Sequence, residues 1–251
     1  MRRTKLYVLL VIALCTAGGI AFFAGPTDLE RVNRGHATDA TPDSYNYKEM
    51  LAKLETERLR LASRYQRASP TERTALINEA RTILTRSIYD QLFPAWYGTA
   101  WDFNGTTETP QQGKIACGYF VSTVLRDAGW KVERVRLAQQ ASENIILSLT
   151  TDSFVRRFRR VAIGDFVSAV KESGTGIYIV GLDNHVGFIM NTGDDVYFIH
   201  SSYVDPYMVV KEKAIDSRIL AASNYRVLGN VFADDLLIGN WLTGKAIHTK
   251  N

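Results

Sequence analysis

The chain has few of the residues from which proteins build covalent staples and metal sites. Its 251 residues include two cysteines and four histidines. Cys15 lies inside an N-terminal apolar run, so the body of the chain carries Cys117 alone and no intramolecular disulfide is expected. No CxxC or HExxH spacing occurs; the common zinc arrangements are excluded, and no metal or cofactor is expected. The excess of one sign of charge is also small, with 30 basic against 26 acidic residues and a formal net of +4. The densest basic stretch, Arg156 to Arg160, is interrupted by Phe158 and reads as a solvated strand or helix face, so no nucleic-acid partner is expected. Hydrophobic and charged residues, at 46% and 22%, are in ordinary globular proportion, which excludes disordered, collagenous and multi-span membrane classes. The length suits one domain of moderate size with an N-terminal appendage.

What is there begins with that appendage. Arg2, Arg3 and Lys5 precede an uncharged run from Leu6 to Gly25, long enough to span a bilayer with its positive flank on the cytoplasmic side. The same run, residues 1–25 with its flank, also reads as a signal peptide, with small residues around Cys15-Thr16-Ala17 before a cut. Either reading exports the rest of the chain to the cell envelope. It is anchored in the inner membrane facing the periplasm or exterior, or secreted if the segment is cleaved.

Residues 26–43, rich in Thr, Asp, Gly and Pro, form a linker. Residues 44–93 read as a helical hairpin. Met50, Leu51, Leu54, Leu59 and Leu61 are spaced along a surface helix, and Ser69-Pro70-Thr71-Glu72 is a capping box that starts a second helix, ended by Pro94. The hairpin either spaces the rest from the membrane or packs on it. A catalytic domain is expected over residues 94–245, with a frayed tail over 246–251.

Residues 94–113 place Trp96, Tyr97, Trp101 and Phe103 in an irregular, glycine-bearing loop. Tyr97, Trp101 and Phe103 are candidates for a substrate groove, and Tyr97 or Trp101 for an oxyanion donor. The loop leads into Cys117, followed by apolar positions Phe120, Val121, Val124, Leu125 and Ala128 at helical spacing and by Gly129 as a C-terminal cap. Cys117 therefore sits at a helix N-terminus, where free N–H groups and the helix dipole favour a thiolate; the alternative is a small buried hydrophobe. Beyond it, residues 130–135 read as a strand, 138–149 as a helix, and 154–163 and 165–170 as strand segments. Residues 177–182, 185–191 and 196–202 are strong strands. A strand and helix over 209–220, a strand over 225–231 and a helix over 234–242 complete an α+β pattern.

Two histidines lie in the hairpin 185–202. A two-residue turn at Gly193-Asp194 makes Thr192 face Asp195 and Gly187 face His200, which puts His185 and His200 on one face as diagonal neighbours. A thiol needs a base to become a nucleophile, and the base needs a polar group to fix its tautomer. Cys117, His185 and His200 are the residue types for those three roles.

The order of Cys117 at a helix start, His185-Val186-Gly187-Phe188-Ile189 and Phe198-Ile199-His200-Ser201-Ser202 resembles NlpC-type cysteine peptidases of the papain-like class. The resemblance covers roughly residues 97–202. It implies a papain-like core whose nucleophile helix packs on an antiparallel sheet carrying the histidines, with Cys117 as nucleophile, His185 as base and His200 as third polar residue. It also implies hydrolysis of an amide in peptidoglycan or a similar peptide. The family usually shows Asp-Cys-Ser-Gly where this chain has Ala116-Cys117-Gly118-Tyr119, and a segment near 142–160 reads as an insertion. A thiol acyltransferase or amidase on another substrate, or an inert envelope scaffold domain, are the alternatives.

Overall fold

The computed structural model describes residues 44–250. The apolar N-terminal run and the linker lie outside these residues, among which no helix is long and apolar enough to cross a membrane. Helix α1 (Ser44–Arg67) is followed by α2 (Pro70–Ser87), which starts at the expected capping box. The Glu72 carboxylate accepts from the Ser69 backbone N–H at 2.8 Å and from its hydroxyl at 2.6 Å. Pro94 does not end the helical run. A π-turn over Ile88–Leu92 intervenes, with the Phe93 N–H bonded to the Ile88 carbonyl, and α3 (Phe93–Trp96) continues through the proline. The widened turn resets the hydrogen-bond register just before a residue that has no N–H to give.

Six strands form one sheet: β3 (Val155–Arg159), β4 (Gly176–Leu182), β5 (Val186–Asn191), β6 (Val196–Ser201), β7 (Val209–Lys213) and β8 (Tyr225–Gly229). Their order is β3-β8-β4-β5-β6-β7, and every neighbouring pair is antiparallel. Both faces are covered, which is why β4 is buried from Ile177 to Leu182 and reads as a continuous apolar run. One face packs under α4 (Cys117–Asp127), α6 (Ser142–Leu149), the α1–α2 hairpin and the terminal α9 (Asp235–Thr243). The other packs under α7 (Ile163–Glu172) and α8 (Arg218–Ala222), with Phe166, Val170, Phe198 and Leu220 inside. On that second face the buried Arg226 donates to the carbonyls of Leu220, Val161 and Ala221, with the Asp183 charge nearby. The architecture is α+β with an antiparallel sheet.

The hairpin is packed on the sheet domain: Leu61, Leu76, Ala80, Leu84 and Ile88 belong to the same core as Phe120, Phe188 and Trp241. Three local expectations change. Residues 165–170 are helical, because Ile163, Phe166, Val167 and Val170 fall at helical spacing against the sheet. Residues 130–135 give only a bridge from Val132 to Ile247 before α5 (Arg134–Ala138) begins. The tail is docked rather than frayed: Ile247 is buried and donates its N–H to the Lys131 carbonyl at 2.9 Å.

Candidate active site

Helix α4 is fixed at both ends, and that places Cys117. Phe120, Val121, Val124 and Leu125 are fully buried against the sheet, with Phe120 and Phe188 edge to face at 5.9 Å. At its C-terminal end the Trp241 indole donates to the Ala128 carbonyl at 2.7 Å. At its N-terminal end two short strands, β1 (Ala100–Trp101) and β2 (Lys114–Ile115), pair in parallel. The Ser201 hydroxyl donates to the Ile115 carbonyl at 2.7 Å, and the Ala116 N–H to the Gly105 carbonyl at 2.8 Å. Cys117 is the first helical residue, and backbone N–H groups of Val186, Gly118 and Cys117 itself point at its sulfur. Gly118 is required by a close approach: a Cβ there would run into the Ala138 carbonyl oxygen at the end of α5.

The histidine hairpin has the register read from its turn. Phe188 pairs with Ile199, Asn191 with Val196, and the Thr192 N–H reaches the Asp195 carbonyl at 3.0 Å. His185, just before β5, and His200, on β6, then meet with Nε2 of His185 3.0 Å from Nδ1 of His200. A Cβ on Gly187 would lie 2.8 Å from the Cβ of His200, so glycine leaves the space that the second imidazole occupies. Phe198 stacks on the His200 ring at 3.9 Å, and Tyr203 stands edge-on to His185 at 5.1 Å. The series continues beyond the histidines: Nε2 of His200 lies 3.2 Å from Oε1 of Glu212 on β7.

Burial governs the electrostatics. It pushes the Cys117 thiol above its ordinary range, opposed in part by the three backbone N–H groups. It holds His185 well below the ordinary imidazole value, with His200 adding to the effect, and holds His200 low as well despite the hydrogen bond and charge of Glu212. Burial pushes the Glu212 carboxyl up, but the His200 and Ser217 hydrogen bonds, together with the charges of His200 and Arg218, outweigh it and hold the group below the usual carboxylate range. Thiol and imidazoles are therefore neutral at rest. The thiolate expected from the helix N-terminus alone is overridden by desolvation.

Two arms of one groove meet at Cys117, Gly118 and His185. The larger, about 730 Å³, is walled by Trp101, Phe103, Asn104, Tyr119, Gln139 and Tyr203. The smaller, about 440 Å³, is walled by Ser142, Glu143, Leu182, Asp183 and Tyr225. The aromatic arm is braced by Arg134, which donates to the carbonyls of Thr106 and Thr107 at 2.9 Å and lies over the Tyr119 ring. No match to a family model, a curated protein or a solved structure was found.

The site therefore rests on its own geometry. The structure brings Cys117, His185, His200, Trp101 and Phe103 to one place. It does not bring Tyr97 there: that side chain packs against the core beside Tyr89, where burial first and Tyr89 second push its phenol up. Tyr97 stands at the C-terminal end of α3 with its ring partly buried against the core, and it lines neither arm of the groove. Sequence reasoning missed Tyr203, Tyr119 and Glu212. Tyr203 follows His200 by three residues in a turn, and Tyr119 stands two residues after the cysteine; both were legible as aromatics near the motifs. Among the described residues no group of three His, Cys, Asp or Glu side chains is placed to hold a metal ion.

Proposed function

We propose that the chain is a thiol hydrolase of an amide bond, with Cys117 as nucleophile, His185 as general base and acid, and His200 as orienter of the base. The observation that carries this is a histidine, His185, that lines the groove together with a cysteine at a helix N-terminus and is backed at 3.0 Å by a second, buried imidazole, that of His200. His185 commits Nε2 to His200, which leaves Nδ1 for the thiol proton. The sulfur attacks the amide carbon as that proton passes to Nδ1, and the Cys117 backbone N–H meets the developing oxyanion. The imidazolium returns the proton to the leaving nitrogen, the C–N bond breaks, and a thioester remains. Water then attacks the thioester, giving its proton to His185; the acid product leaves and the thiol recovers its proton.

The resemblance to NlpC-type peptidases supports a papain-like core and a cell-wall peptide or similar peptide as substrate, and the apolar N-terminal run supports placement in the envelope. Purified protein and Cys117→Ala should be incubated with peptidoglycan fragments and the products read by mass spectrometry. Fragments that gain one water, formed only with Cys117 present, are expected. Fragments joined to an added amine would make the protein an acyltransferase, and intact substrate with both forms would remove cell-wall amides as the target.

A further inference from the structure

The hydrogen-bond series His185–His200–Glu212 has a direction, and the direction is set at its far end. An ionised carboxylate accepts hydrogen bonds and has none to give. Glu212 is held in that form by its surroundings. Ser217 caps α8, accepting from the Leu220 N–H at 3.2 Å, and this leaves its hydroxyl hydrogen for the carboxylate; the Arg218 charge lies nearby. With Glu212 3.2 Å from Nε2 of His200, the His200 proton belongs on Nε2. A neutral imidazole has one donor and one acceptor, so Nδ1 of His200 must accept. Its neighbour at 3.0 Å, Nε2 of His185, must then donate. The His185 proton is thereby placed on Nε2, and Nδ1 is a bare lone pair.

Without the carboxylate the dyad has a second arrangement with an equally good internal hydrogen bond. His200 protonated on Nδ1 would donate to a bare Nε2 of His185, whose own proton would then sit on Nδ1. In that form His185 offers a donor where a base is needed. We propose that Glu212 is a positioning residue that, through His200, holds both imidazoles in the Nε2–H form and keeps Nδ1 of His185 free to accept a proton. Its consequence for Cys117 rests on the reading of His185 as the base; the tautomers themselves do not.

The test uses the whole chain and two readouts. Nitrogen-15 NMR of the histidine rings reports the tautomers, and iodoacetamide labelling, followed at the Cys117 peptide by mass spectrometry, reports proton removal from the thiol. In the wild type both His185 and His200 should carry the proton on Nε2. Glu212→Gln keeps a side-chain oxygen that can accept, so the tautomers should persist. Glu212→Ala should populate Nδ1–H forms and slow labelling about tenfold, less than the roughly 10²–10⁴-fold that general-base catalysis itself provides. A wild-type His200 protonated on Nδ1, or unchanged tautomers in Glu212→Ala, would overturn the proposal. The wild-type measurement alone exposes it, should the alanine variant fail to fold. Tautomers that respond while labelling does not would uphold Glu212 and remove His185 as the base.

Discussion

Helix α4 has a buried polar network at each end, and the two differ in one respect that matters. At the C-terminal end the Tyr47 hydroxyl donates to Asp127 at 2.7 Å and accepts from the Trp96 indole at 3.0 Å, while Arg126 pairs with Asp127 at 2.8 Å. At the N-terminal end stand Cys117 and the series His185–His200–Glu212. Both hold strongly perturbed groups: burial raises Tyr47 and Asp127 just as it raises Cys117 and lowers His185. A shifted titration therefore does not separate chemistry from scaffolding here. The Tyr47 latch ties α1 to α4 and runs out through Arg126 to the exposed carboxylate of Glu108, which lines neither arm of the groove. The histidine series runs to a ring that lines the groove, with one nitrogen not committed to the protein. Perturbation together with an open end on a cavity is what singles out the candidate site.

Substitutions can break or sharpen that contrast. The largest effect is expected from Cys117→Ala, which should abolish turnover with the thermal midpoint nearly unchanged, because the side chain is small; unfolding would make Cys117 a packing residue. His185→Ala should lower kcat by about 10²–10⁴-fold, and combining it with Cys117→Ala should lower the residual rate no further, since the two act as a unit. Tyr47→Phe is the converse. It should cost about 1–3 kcal/mol in denaturant unfolding by leaving Asp127 and the Trp96 indole short of a partner, with kcat for folded protein unaltered. A fall in kcat to match would mean that the two networks are coupled through α4. Trp101→Ala should raise KM by up to about tenfold, the equivalent of roughly 1.4 kcal/mol of binding, with little change in kcat.

The smallest effect is on the pH dependence of stability. His185 and His200 have folded values below the ordinary imidazole value, so below about pH 6.5 the unfolded chain takes up protons that the folded chain refuses. Their contribution is complete above that pH and is lost as pH falls. Cys117 is shifted upward, so above about pH 8.5 the unfolded thiol ionises first and stability declines again. Thermal midpoints across this range should form a plateau, and His185→Gln should flatten its acid edge. Labelling of Cys117 should be slow at pH 6 and rise with pH; fast labelling at pH 6 would show a preformed ion pair.

Much of this was legible because it depends on short-range rules. The two-residue turn at Gly193-Asp194 sets the β5–β6 register, and a period of two does the rest, so the pairing of His185 with His200 could be read from the chain. The α4 start followed from apolar spacing after a glycine-rich loop. What was not legible depends on long connections or on competition between patterns. Residues 165–170 form a short apolar run, which strand and helix share. Glu212 lies in Lys211-Glu212-Lys213, which looks like a solvated edge strand. Its approach to His200 depends on the β6–β7 register, which pairs His200 with Val210 and Phe198 with Glu212. A seven-residue connection over residues 202–208 sets that register; Asp205-Pro206 announces a turn there, but in a loop of that length a turn signal does not fix which residues pair. The thiol's upward shift depends on burial by α5 and the sheet, which only the assembled fold supplies.

The contact between Gly118 and the end of α5 has a further consequence for how the groove could be redesigned. Between Cys117 and His185, where the two arms join, Gly118 adds only backbone, with the Ala138 carbonyl pressed against it. Any side chain introduced at position 118 would lever α5 away and open the junction itself, so that position acts as a fixed pivot. The aromatic wall instead hangs on loop carbonyls clamped by a single guanidinium, that of Arg134. The shape of the groove is thus adjustable from one side only: substitutions at Phe103 and Asn104 can reshape the aromatic wall, while Gly105, whose carbonyl holds the Ala116 N–H, and the pivot at Gly118 keep Cys117 in place.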